Sequence, residues 1–146
     1  MTARPDHAVT RLLLDTSVLI EVIRNPASPQ GERMAALGDD VELLLSSLVA
    51  AELAEGFALL PRQSRAQERY ERLASVFTQS QFDFDAAAAY GPLRASLRKR
   101  GSSIGAIDEL IAAHALANDA TVATLNVADF SRVAGLRVAD WSSPKT

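Results

Sequence analysis

The sequence predicts an α/β fold with a mostly parallel sheet, and two observations carry that expectation. Short apolar runs at residues 11–14, 41–45, 121–124 and 136–138 are too brief for helices, and they alternate with longer stretches of helical periodicity. Strands that alternate with helices pack as a parallel sheet covered on both faces. One domain is expected: 146 residues make a single core, and no repeat, low-complexity stretch or long linker divides them. Residues 1–10 read as a polar tail, 11–141 as the domain and 142–146 as a second short tail.

The elements follow in order. Residues 11–14 form a buried strand that ends at Asp15. A helix over 18–24 stops at Asn25-Pro26, because the residue before proline is pushed out of the α region. A second helix is expected over 30–37 and a second strand over 41–45, ended by Ser46-Ser47. Val49, Leu53, Gly56, Phe57 and Leu60 lie on one helical stripe, closed by Pro61. Residues 64–77 are helical in pattern, and 81–84 read as a further short strand. A long helix over 85–100 contains Gly91-Pro92, a kink signal, and ends at Gly101. Ile107, Leu110, Ile111 and His114 mark one more helix before the last two strands. The total is four or five strands and about six or seven helices.

Bulk composition narrows the function classes. With 48% hydrophobic and 23% charged residues, the chain is globular rather than disordered. No apolar run is long enough for a bilayer, the N-terminus lacks a signal-peptide core, and there is no cysteine. A cytoplasmic protein without membrane contact, disulfide or zinc–thiolate site is the expectation. The net charge of −3 neither supports nor forbids a phosphate-bearing partner, because an acidic site is neutralised once it binds a cation.

Acidic and amide residues are expected to gather at one address, the carboxyl ends of the strands, where open α/β sheets place their sites. Asp15 ends the first strand, Glu52 stands early in the helix after the second, and Asp108 is in the first turn of the Ile107 helix. Asn126 and Asp129 follow the strand at 121–124. At about 4 Å, two carboxylates repel by roughly 4 kcal/mol at an effective dielectric of about 20. A hard divalent cation relieves that repulsion, and an all-oxygen donor set suits Mg²⁺ or Mn²⁺ better than zinc. The usual chemistry of such a site is phosphodiester hydrolysis by metal-activated water. Each residue also has a plainer role: Asp15 as a helix N-cap, Asp108 and Glu109 as partners of a helix dipole, Asn126 and Asp129 as turn or cap residues. Only Glu52, bordering an apolar stripe, resists that reading on its own.

The segments Leu13-Leu14-Asp15-Thr16-Ser17, Ser46-Ser47-Leu48-Val49-Ala50-Ala51-Glu52-Leu53 and Ile104-Gly105-Ala106-Ile107-Asp108-Glu109-Leu110-Ile111-Ala112-Ala113-His114 resemble the three acidic motifs of PIN domains. The stretch from Val122 through Asn126, Asp129 and Phe130 to Asp140-Trp141 resembles toxins of the VapC kind, so the likeness spans residues 11–141. It implies a PIN-like three-layer sandwich and a Mg²⁺- or Mn²⁺-dependent endoribonuclease, the toxin of a bacterial type II toxin–antitoxin pair. It also implies a homodimer, a cognate antitoxin and higher hetero-oligomers with it. By position Asp15, Glu52 and Asp108 match the core acids; the fourth acidic position falls on Asn126 or on Asp129, and Asp129 is the candidate fourth catalytic residue. Asp15 and Asp108 would lead the metal ligands, joined by Glu52, Asn126 or Asp129. Thr16, Thr124 and Asn126 match site-lining positions. Residues 18–23 and 49–60, with Phe57, match stretches that in relatives groove an antitoxin segment, and they also suit a core.

Arg94, Arg98, Lys99 and Arg100 form a basic cluster ahead of the loop to Asp108 and are the candidates for RNA phosphate contacts. Arg62, Arg65, Arg69 and Arg72 share a helix face interleaved with Glu68 and Glu71, which reads as a solvated, ion-paired surface. His114 lies on an apolar stripe and reads as a core histidine; His7 stands in the tail, and neither joins the site. Two other function classes compete with this reading. A phosphotransferase using Asp15 as nucleophile would want a second Asp two residues on, where Ser17 stands. A catalytically weak RNA-binding module is the alternative that Asn126 leaves open.

Overall fold

The computed structural model describes residues 9–61 and 64–142. The chain runs β1 (Thr10–Leu14), α1 (Thr16–Arg24), α2 (Pro29–Ala35), β2 (Val41–Ser46), α3 (Ser47–Ala58), α4 (Arg65–Ala74), β3 (Thr78–Ser80), α5 (Phe84–Lys99), α6 (Ala106–Ala117), β4 (Thr121–Thr124), α7 (Val127–Phe130) and β5 (Val138–Asp140). The five strands form one sheet in the order β3-β2-β1-β4-β5, and every neighbouring pair is parallel. Successive strand residues point to opposite faces. Because Leu12, Leu13 and Leu14 are all buried, both faces of the central strand are covered.

That order places β1 at the centre, with β2 and β3 built outward on one side and β4 and β5 on the other. The direction of winding reverses between β1 and β4, which opens a crevice at their carboxyl ends. Leu12 aligns with Thr121 and Leu14 with Ala123, so Asp15 and Thr124 leave the sheet side by side.

Local chemistry sets most element ends. Helices α1 to α5 each begin on a side-chain cap: Asp15, Ser28, Ser46, Ser64 and Asp83 accept from backbone N–H groups of the first turn. Gly31 admits no side chain, since a Cβ there would lie 2.1 Å from the Pro26 carbonyl oxygen. The end of the chain is pinned to α2. Gln30 Nε2 donates to the Trp141 carbonyl at 3.0 Å, and the Arg33 guanidinium lies 4.5 Å above the buried Trp141 ring.

Two strands fall elsewhere than the apolar pattern suggests. The strand expected at 81–84 is instead Thr78–Ser80, because the Asp83 carboxylate caps Ala86 N at 3.0 Å and starts α5 at Phe84. Phe84 is an exposed apolar residue, at 93% of its surface, so it misleads a reading based on hydrophobicity. The last strand is Val138–Asp140 rather than 136–138: Leu136 N bonds to Val133 O in a turn through Gly135, whose φ is 79°. Pro92 sits inside α5 without ending it.

His114 is fully buried, with Nδ1 2.8 Å from Ser46 Oγ, Nε2 3.0 Å from Ser80 Oγ and the Phe82 ring edge-on to it. It is a satisfied core histidine, and burial holds its pKa below the usual value despite the nearby Asp83 carboxylate. Arg69 spends its guanidinium on the carbonyls of Ile23 and Arg24, closing the end of α1. Among the described residues Glu68 and Arg72 form no ion pair. Arg62 and His7 lie outside the described residues.

Candidate active site

Asp15 is the anchor of the crevice. It is 3% exposed, ends β1, and caps α1 through Oδ1, which accepts from Thr16 N at 2.7 Å. Its Oδ2 accepts from Ser17 Oγ at 2.9 Å and from Thr124 Oγ1 at 2.8 Å. The capping role and a role in the site therefore coexist in one carboxylate. Thr124 is fully buried at the end of β4, and its hydroxyl also accepts from Asn126 N at 2.9 Å. Ser17 Oγ similarly accepts from Leu125 N at 3.2 Å.

Glu52, half-buried on α3, reaches the same crevice and accepts from Thr16 Oγ1 at 2.5 Å. Asp108 stands half-buried in the first turn of α6. Its pKa is pushed up to about 6, first by burial and then by the negative charges of Asp15, Glu52, Asp129 and Glu109. Asp15, Glu52 and Asp129 thus act on Asp108 through their charge, although the four acids come from four separate parts of the chain. Asp129 lies in α7, and Asn126 is its exposed N-cap residue, with no side-chain capping bond.

The donor set is entirely oxygen: carboxylates backed by hydroxyls, an arrangement that fits a hard cation. Among the described residues no three acidic, histidine or cysteine side chains stand close enough to grip one ion together. Mg²⁺ does not require that, because it keeps several waters and takes one or two carboxylates directly. The mutual repulsion recorded at Asp108 is what a bound cation would relieve.

The basic cluster divides. Arg94 is drawn inward, with Nη1 3.4 Å from both Glu109 Oε2 and Ser103 Oγ. Arg100 donates to the Arg132 carbonyl at 2.7 Å, while Arg98 and Lys99 are exposed. The sequence reading gives Glu109 only a helix-dipole role and Ser17 no role at the site. Ser17 carried a usable signal, a hydroxyl two residues after a capping Asp. Glu109 carried none, since an acid in a first helical turn is ordinary.

Beside Glu52 the surface opens into an apolar groove of about 410 Å³ between α1, α3 and α4, walled by Ile20, Ile23, Leu53, Phe57 and Leu60. Val49 and Leu53 of the α3 stripe are buried in the core, whereas Leu60 is 45% exposed on this groove. The stripe thus serves both core and surface.

The PIN domain model matches residues 12–136, and the chain belongs to the PIN-domain family. Along nearly its full length it is similar to VapC proteins. It is 30% identical to ribonuclease VapC2 of Rickettsia felis, over 88% of this chain and 96% of that one. It is 33% identical to the tRNA(fMet)-specific endonuclease VapC of Shigella flexneri, over 90% and 98%. The structure matches a chain of the VapBC2 crystal structure from Rickettsia felis, bound to a DNA fragment from its promoter, with a TM-score of 0.84. That match covers 90% of this chain and 99% of the other at 28% identity.

Proposed function

We propose that this chain is the toxin of a bacterial toxin–antitoxin pair, a cytoplasmic endoribonuclease that uses Mg²⁺ or Mn²⁺ to hydrolyse RNA phosphodiester bonds. The observation that supports the reading is the state of Asp108 at the β1–β4 crevice, whose pKa is raised to about 6 first by burial and then by the charges of Asp15, Glu52, Asp129 and Glu109. Asp15 and Asp108 would hold the ion, with Glu52, Asp129 and Asn126 as further candidate ligands. An ion held there would supply an activated water and charge stabilisation for in-line displacement. The chain's own part is to hold the acids: Thr124 and Ser17 orient Asp15, and Thr16 orients Glu52. Exposed Arg98 and Lys99 offer the RNA its phosphate contacts.

The partner is a cognate antitoxin whose apolar segment fills the groove beside Glu52. Such a segment would shield the carboxylates from RNA while burying Leu60 and Ile20, both exposed here. Homodimerisation and a larger complex with antitoxin complete the reading.

The test is incubation of antitoxin-free protein with total bacterial RNA, with Mg²⁺ or with EDTA, beside Asp108→Ala. Discrete cleavage that needs both the metal and Asp108 is the expected result. Intact RNA from folded protein, in Mn²⁺ as well, would favour the RNA-binding module instead.

A further inference from the structure

Helix α6 carries Asp108, yet it lacks the side-chain cap that begins each of α1 to α5. Its N-cap is Gly105, at φ 107°, and no side chain there takes a backbone N–H. The preceding residues 101–105 are otherwise irregular. What ties them down is the neighbour of Asp108. Glu109 is 1% exposed, and its Oε2 accepts from Ser103 Oγ at 2.9 Å and from Ile104 N at 3.2 Å. The same oxygen faces Arg94 Nη1 at 3.4 Å, so the carboxylate joins α5, the loop and the first turn of α6. The buried charge is satisfied by an arginine and two further donors, as a buried carboxylate must be. None of those bonds reaches the crevice.

We infer that Glu109 is a positioning residue: by clamping Ser103, Ile104 and Arg94 it ties down the uncapped entry to α6 and fixes where the helix presents Asp108. The proposal rests on the reading of Asp108 as a metal-binding acid. It assigns Arg94 to the clamp, leaving the phosphate contacts to the exposed cations beside it. Removal of the clamp frees the α6 entry to fray, and a ligand acid displaced by even a fraction of an ångström loses both ion affinity and rate.

Glu109→Gln, Arg94→Gln and the double variant test this, read by cleavage of a short RNA and by titration with Mn²⁺, following the free-ion EPR signal. Glu109→Gln is expected to melt cooperatively and to keep KM within about twofold. Its kcat should fall about tenfold or more, and its Kd for Mn²⁺ should rise by a similar factor. Arg94→Gln should move both quantities the same way, and the double variant should be no worse than Glu109→Gln. A folded Glu109→Gln with kcat and Mn²⁺ affinity both within about twofold of wild type would overturn the proposal. So would a loss expressed in KM alone. If Glu109→Gln fails to fold, Ser103→Ala, which removes the hydroxyl's bonds to Glu109 and Arg94 at an exposed residue, decides: about a threefold fall in kcat supports the clamp and no change overturns it. Should the wild type not cut RNA at all, the Mn²⁺ titration still decides the clamp by itself.

Discussion

The Thr124 hydroxyl donates to the Asp15 carboxylate at 2.8 Å and so joins the ends of β4 and β1, 109 residues apart, at the point where the sheet reverses its winding. With Thr16 N and Ser17 Oγ, that bond gives Asp15 three donors. A carboxylate has about four lone-pair sites, which leaves about one facing the crevice. Thr124 thereby fixes both the orientation of the acid and the direction of its remaining donor capacity. The same hydroxyl accepts from Asn126 N and sets the start of the segment that carries Asp129.

Thr124→Val keeps the shape of this fully buried residue and removes only its polar contacts. It should cost about 1–2 kcal/mol in chemical denaturation, because Asn126 N loses its partner. Cleavage by the folded variant should fall about tenfold to a hundredfold. Wild-type kcat in this variant would show that the hydroxyl does not orient Asp15.

Asp108→Asn separates stability from activity. The Asp108 pKa is raised from 3.8 to about 6, so the native state holds that proton more tightly than the unfolded chain. The resulting stabilisation is fully present below about 3.8 and is lost as pH rises through about 6. At pH 7 the ionised group opposes folding, and an amide in its place should raise the Tm of metal-free protein by a few degrees, a gain of about 1 kcal/mol after allowance for its partial exposure. The gain should vanish near pH 4, while cleavage is lost at every pH. Equal Tm values at pH 7 would refute the repulsion.

The same carboxyl makes ion binding pH-dependent. Below about 6 a cation must displace the Asp108 proton, and above it no proton is released. Affinity for Mg²⁺ or Mn²⁺ should therefore rise about tenfold per pH unit from pH 5 to 6 and level off by about pH 7. Calorimetry in two buffers of different ionisation heat should count close to one proton released at pH 5. A flat profile would show that Asp108 is not a ligand.

Much of this site was legible in the sequence because motif acids sit where local rules operate: after a strand, or in a helix's early turns. β4 at Thr121–Thr124 was equally plain, as four residues with no helical period. The rest depends on contacts that no window spans. Exposed Phe84 drew the third strand three residues downstream, and Leu136 drew the last one upstream, since hydrophobicity was read as burial. Glu109 was opaque for a related reason: its value lies in Arg94 and Ser103, brought to it by the packing of α5 on α6.

His114→Ala should destabilise the fold without a direct catalytic loss. The buried ring bridges the Ser46 and Ser80 hydroxyls, so truncation leaves a cavity and takes a partner from each hydroxyl, at a cost of about 2–4 kcal/mol. The histidine's pKa is lowered from 6.5, chiefly by burial, so its contribution is present above 6.5 and is lost as pH falls through the folded value. The difference in unfolding free energy between wild type and variant should thus shrink from pH 7 to pH 5. A constant gap would show that the ring binds its proton equally well in the folded and unfolded chain, and a widening gap would indicate a charged imidazole in the native core.

The groove beside Glu52 predicts how neutralisation fails. Leu60 lies on its rim and is 45% exposed, so Leu60→Asp should fold, yet it sets a carboxylate against the apolar partner segment. An unpaired charge in a desolvated contact costs about 2 kcal/mol or more, enough to weaken antitoxin binding about thirtyfold. A neighbouring Arg24 or Arg69 could offset part of this, so Ile20→Asp on the facing helix provides an independent arm. With stoichiometric antitoxin at about five times the wild-type Kd, both variants should leave RNA cleavage largely unrestrained, whereas the wild type is more than half inhibited. Unchanged inhibition of both would place the antitoxin on another face, and the exposed ends of α5 and α6, at Phe84 and Ile107, would then be the surfaces to substitute next.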